Sequence, residues 1–402
     1  MRTLAPRSIL LATALLSAPA LAGAQEPVAE IPFWSPSNLI VLRGGVGESA
    51  PDLVLLLDSG AGRSVVDAPV VDSLGLRVTG QGQAVGASGR AAIRVLAELP
   101  MHLGEYVGIP QGSAELTVPM PVAIDFTELE PALGANVDAV VGHELFLRYV
   151  VQIDYAAGLL RLYDPRTFAE PSDPWVPLEV RNSAAFVPVT ITVDGRTIEA
   201  RLRLDTGSGG ALTFNAPFVR AHGLASGPGL IAGASWGVGG RSMEVNRVLE
   251  SATMGAFTLQ APVGTLSLDT AGVLSGAEGD GLVGGDVLRR FTVTLDYGRG
   301  RMYLRANDRL GEPFRRGLAG MGIFAVAPEF RSFRITHVDE GSAAAAAGLQ
   351  AGDLIEEVDG RPADEMPLYY LRDLFKLPGA AYTLTIRRGD ETHTLRIQLP
   401  NP

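Results

Sequence analysis

Hydrophobic and polar residues alternate along much of this chain with the two-residue period of half-buried strands. Residues 187–193 alternate, Asp194-Gly195 supplies a tight turn, and residues 197–204 return with the same period, which predicts a β-hairpin. Residues 55–57 and 202–204 end two hydrophobic strands, each followed by Asp, a hydroxyl residue and Gly. Helical spacing is weak and short until residues 368–376, where Leu368, Leu371 and Phe375 fall on one face. Just before that helix the character changes. Residues 333–338 and 354–358 read as strands, the second closed by an Asp359-Gly360 turn. Residues 342–347 read as a short helix capped by Ser342 and stopped by Gly348. Residues 382–387 and 392–398 form a last hairpin around Gly389-Asp390.

The chain also repeats itself. Leu55-Leu56-Leu57-Asp58-Ser59-Gly60-Ala61-Gly62 matches Leu202-Arg203-Leu204-Asp205-Thr206-Gly207-Ser208-Gly209. Downstream, Asp138-Ala139-Val140-Val141-Gly142 matches Asp280-Gly281-Leu282-Val283-Gly284, and the two copies continue without a gap to Tyr155 and Tyr297. The repeat sets the expected borders: a first lobe over 31–164, a Pro-rich linker over 165–179, a second lobe over 180–307 and a small α+β domain over 317–399. Both lobes are expected to be mainly β, with closed or orthogonally packed sheets.

Composition narrows the function. With 402 residues, two or three domains are expected. Forty-eight glycines and 6% aromatics suit short strands and tight turns. A net charge of −11 without a basic run gives nucleic-acid binding no electrostatic support. Arg2 and Arg7, an apolar run over 8–16 and small residues near 20–24 predict an export signal over 1–24, cut after Ala22 or Ala24, with an uncleaved anchor as the alternative. The run is too short to span a bilayer. No later segment is long enough either, so no stable membrane insertion is expected. The absence of cysteine excludes thiol catalysis, disulfides and a lipid-modified cysteine. The expected location is periplasmic or extracellular.

Two carboxylates sharing one proton can activate water and protonate a scissile peptide, because close like charges cannot both ionise. Asp58 and Asp205 are the candidates, one from each lobe. Gly60 and Gly207 allow tight loops, and the hydroxyls of Ser59 and Thr206 are placed to brace the loops against each other. Ser208, whose place is taken by Ala61 in the first copy, is expected to stabilise ionised Asp205 and leave the proton on Asp58.

These residues resemble the aspartic peptidase superfamily of pepsin-like and retropepsin-like enzymes, whose signature is a strand ending in Asp-Ser/Thr-Gly with two hydrophobic residues and Gly downstream. The resemblance covers both lobes, and their shortness makes tandem retropepsin-like folds the closer match. It implies a flexible hairpin flap between the two signature elements. The candidate flap residues are Gly82, Val85 and Gly86 in the first lobe and Trp236 and Gly237 in the second, with Trp236 a candidate cover for the cleft.

Residues 348–355 with Val358-Asp359-Gly360 resemble the PDZ domains of exported bacterial proteases. The resemblance implies a carboxylate loop at Gly320-Met321-Gly322-Ile323. It also implies a peptide C-terminus added as a strand beside residues 323–326 and facing Leu371 and Phe375. Pro328 and Arg331 make the following stretch irregular and the groove short.

Other chemistry is weak. Gly233-Ala234-Ser235-Trp236-Gly237 fits a nucleophile-elbow pattern but lacks a following helix. His102, His143, His222, His337 and His393 have no metal-ligand spacing, so no metal or cofactor is expected. The expectation is an exported endopeptidase acting on peptide or protein substrates. The alternative is a non-catalytic peptide-binding or scaffold protein.

Overall fold

The computed structural model describes residues 25–48, 52–87, 89–104, 112–227 and 229–401; the expected export signal lies outside them. The described chain is mainly β, as its strand-period patterning dictates. No helix among the described residues is long and apolar enough to cross a membrane.

The repeat folds twice into the same arrangement. In the first lobe, Leu53–Leu57 runs into Asp58 and Val65–Asp67 leaves the loop. Ala139–Val141 threads between them, parallel to the first and antiparallel to the second. In the second lobe, Gly281–Val283 lies in the same way between Arg196–Leu204 and Leu212–Phe214. A middle strand buried on both faces has to be wholly apolar, and Ala139, Val140 and Val141 are all buried. The aspartates that begin the second signature secure it: Asp138 accepts from the Val54 N–H and Asp280 from the Arg201 N–H. The hairpin around Asp194-Gly195 forms as expected, Ala184–Val193 pairing with Arg196–Leu204 through two residues of positive φ.

The lobes are not joined by the linker alone. The strand that follows each second signature enters one common six-stranded sheet, where Val150–Asp154 pairs antiparallel with Phe291–Asp296. Ile153 faces Val293 there, and both are buried. One continuous apolar core therefore runs through both lobes. The Pro-rich stretch 165–179 contributes a short edge strand, Trp175–Pro177, to that sheet. An edge is where proline is tolerated, since it cannot donate to a ladder.

Residues 318–399 build a separate core. Five strands, Met321–Ala325, Phe333–Val338, Leu354–Val358, Ala381–Arg388 and Glu391–Gln398, pair in that order, and Met321–Ala325 is left at the edge. Ser342 caps Ala343–Ala346 by accepting from the Ala345 N–H. Leu368–Leu374 is the second helix, with Leu368 and Leu371 buried.

Candidate active site and peptide groove

The two Asp-containing loops meet at the junction of the lobes. Thr206 Oγ1 accepts from the Ser59 N–H at 2.9 Å and donates to the Leu57 carbonyl at 2.8 Å. Ser59 Oγ accepts from the Thr206 N–H at 3.1 Å and donates to the Leu204 carbonyl at 2.9 Å. Both side chains are fully buried. These four bonds satisfy two hydroxyls and four backbone groups that water cannot reach, and they fix the two loops in one geometry.

That geometry unites the carboxyl groups of Asp58 and Asp205, which lie within hydrogen-bonding reach of each other. Neither loop has room for a side chain after its hydroxyl residue. A Cβ on Gly60 would stand 2.8 Å from Asp205 Cγ, and Gly207 abuts Asp58 in the same manner. Each aspartate N–H is held by the threaded strand, Asp58 to the Val141 carbonyl and Asp205 to that of Val283.

The two acids differ in their donors. Asp58 Oδ1 accepts from the N–H groups of Gly60, at 2.7 Å, and Ala61, at 3.0 Å. Among the described residues, the one backbone N–H that Asp205 Oδ1 accepts from is that of Gly207, at 3.0 Å. Burial raises both above the ordinary carboxylate range. For Asp58 the backbone donors oppose it, while for Asp205 the negative Asp58 adds to it and the group is pushed up to about 8. The two backbone donors on Asp58 favour the charge there, and the single one on Asp205 favours the shared proton on Asp205, the opposite preference to the one expected from Ser208. The Ser208 hydroxyl is not among the donors to Asp205. It turns toward the Gly284 loop, where a Cβ on Gly284 would lie 3.1 Å from it.

The glycine-rich stretches are hairpins, as expected. Val78–Val85 pairs with Arg90–Leu96, and Ile231–Gly237 with Gly240–Val248. Gly82 and Val85 lie on the first arm, with Gly86 just beyond it. The tips meet: a Cβ on Gly237 would stand 2.8 Å from the Ala87 Cβ, and a Cβ on Gly89 2.6 Å from the Gly239 carbonyl oxygen. The Gly86 carbonyl also accepts from the Val273 N–H of the second lobe. Val238, at the second tip, packs on an apolar cluster that includes Leu56 and Val140, on the strands beside Asp58.

Trp236 does not cover the cleft. Its ring packs edge-on against Phe324 at 4.6 Å between centroids and lies over His337 at 6.2 Å, both in the small α+β unit. Ser235, the elbow candidate, sits within a strand with no helix after it and donates to Glu244, so that pattern carries no nucleophile. His143 is buried beside Tyr297, and burial holds its pKa below the usual imidazole value. Among the described residues no His, Asp or Glu cluster is arranged to hold a metal.

The expected groove lies between the edge strand Met321–Ala325 and the helix Leu368–Leu374, but its lining differs from expectation. Ile323, Leu371 and Phe375 are buried in the core of the unit, while Met321 and Gly322 stay partly exposed. The open edge is also covered. Arg372 Nη2 donates to the Ile323 carbonyl at 2.6 Å, and its Nη1 donates to the Ala132 carbonyl of the first lobe at 2.7 Å. Sequence reasoning missed Arg372, Phe324 and the 129–134 segment. No local pattern marks them, because their roles arise only where distant parts of the chain meet.

A search of curated proteins finds no match to this chain. Residues 334–388 match the family model of the PDZ domain, so the small α+β unit that covers them is a PDZ domain, a module for binding peptides or proteins.

Proposed function

We propose that the chain is an aspartic-type endopeptidase in which Asp58 and Asp205 activate one water molecule, with the PDZ domain recruiting substrates or partners. The observation that carries this reading is the reciprocal bracing of Ser59 and Thr206, which commits one acid from each lobe to a common point. A turn aspartate in a merely structural loop would have no need of the other lobe's acid. Nor would it need a glycine to admit that acid.

The chemistry follows from the unequal donors. Ionised Asp58, held by two N–H groups, takes a proton from water as the oxygen attacks the peptide carbonyl. Protonated Asp205 hydrogen-bonds the carbonyl oxygen and neutralises the charge that develops there. Asp58 then passes its proton to the leaving nitrogen as the C–N bond breaks, and Asp205 recovers its proton from a hydroxyl of the collapsing intermediate. Arg203, two residues before Asp205, favours the ionised form of both acids and limits how far burial raises them. The meeting hairpins supply a cover that opens for an extended peptide and then excludes water.

The test is cleavage of a mixed peptide library by the protein and its Asp58→Asn and Asp205→Asn variants. Loss of about 10²–10⁴-fold in each variant is expected. Equal turnover in all three would remove the dyad from the reaction.

A further inference from the structure

Contacts among the described residues tie the PDZ groove to the first lobe. The helix Glu130–Leu133 of the first lobe packs on the edge strand Met321–Ala325. Gly134, in the left-handed region at φ 76°, presses on the groove helix, and a Cβ there would stand 2.6 Å from the Leu368 Cβ. Arg372, on that same helix, bonds both walls of the contact through the carbonyls of Ile323 and Ala132. Residues 129–134 thus lie where an added peptide strand would run, and the Ile323 carbonyl that such a strand would use is already taken.

This occupant is a poor electrostatic match. Among the described residues no carboxylate pairs with Arg372, and its guanidinium is largely desolvated, which pushes its pKa down to about 10. Backbone carbonyls satisfy its hydrogen bonds without cancelling its charge. A carboxylate at the same place would do both.

The far side of the contact leads to the candidate active site by two routes. Leu129 and Leu133 pack on the apolar cluster that holds Leu56 and Val238. Trp236 ties the second hairpin to Phe324 on the edge strand itself.

We propose that the PDZ groove is a switch closed in cis by residues 129–134 and opened by an extended peptide that presents an acidic side chain to Arg372. Opening frees the second hairpin from its Trp236 anchor. Any effect on cleavage rests on the dyad reading above; the switch itself does not.

The test uses the full chain and a labelled nine-residue peptide with a central Glu and an apolar C-terminus, beside its Gln counterpart. Fluorescence polarisation should show the Glu peptide binding tighter, with Arg372→Ala erasing that preference. Gly134→Ala, which wedges the cis segment off the groove, should tighten binding by about fivefold or more. Saturating wild-type protein with the Glu peptide should speed hydrogen exchange at 129–134 and 231–248 and leave Val150–Asp154 unchanged. Equal affinity in wild type and a folded Gly134→Ala overturns the proposal, as does no binding to either. Unchanged exchange at 231–248 overturns it even where Gly134→Ala fails to fold. If exchange responds but Asp58→Asn cleaves like wild type, the switch stands and the dyad falls.

Discussion

Gly207 stands where only a hydrogen can stand, because a Cβ at that position would lie 2.5 Å from Asp58 Cγ in the other lobe. Each half of the repeat leaves a gap for the other half's acid. Gly207→Ala has to push Asp58 aside, at a cost of about 1–3 kcal/mol in stability. Misplacing the acid should cut turnover by about 10²-fold. Chemical denaturation and peptide cleavage measured on one preparation read both effects.

Thr206 tests the bracing directly. Thr206→Val keeps the shape but leaves the buried Ser59 N–H without its acceptor and the Leu57 carbonyl without its donor. Each orphaned group costs about 1–3 kcal/mol. Thr206→Ser restores both bonds and should recover stability and cleavage together. A valine variant as stable and active as wild type would show that the loops need no brace.

Burial of Asp205 predicts the sign of a pH dependence of stability. Its folded pKa is raised to about 8 from an ordinary 3.8, so between these values the folded state binds the extra proton. This contribution is complete below about pH 4 and is lost as pH rises through 8. Thermal unfolding of Asp205→Asn should therefore fall less between pH 4 and 8 than that of wild type. The alkaline limb of the cleavage profile should follow the same ionisation.

Ser208→Ala should leave the pH–rate profile in place, because the hydroxyl faces the Gly284 loop. A shift of the acid limb would return Ser208 to the carboxylate and undo the assignment of charge to Asp58.

Ile153→Ala probes the shared sheet. The side chain is fully buried opposite Val293, and its removal should cost about 2–5 kcal/mol. Since one core runs through both lobes, they should unfold in a single transition. Two separated transitions for the lobes would contradict the continuous core.

The sequence alone determined the repeat, the two acids, the bracing hydroxyls, the hairpins and the small α+β domain. These are written locally, in strand-period alternation, turn residues and caps, or in the match between one half of the chain and the other. Only the tertiary structure decided how many N–H groups each loop aims at its carboxylate, and so which acid is the better held as an anion. It alone joined the lobes through a common sheet, turned Trp236 toward Phe324 and set Arg372 against Ala132, 240 residues away. Such contacts link surfaces whose own residues already satisfy local folding rules, so no periodicity or motif announces them. Packing between distant segments selects them.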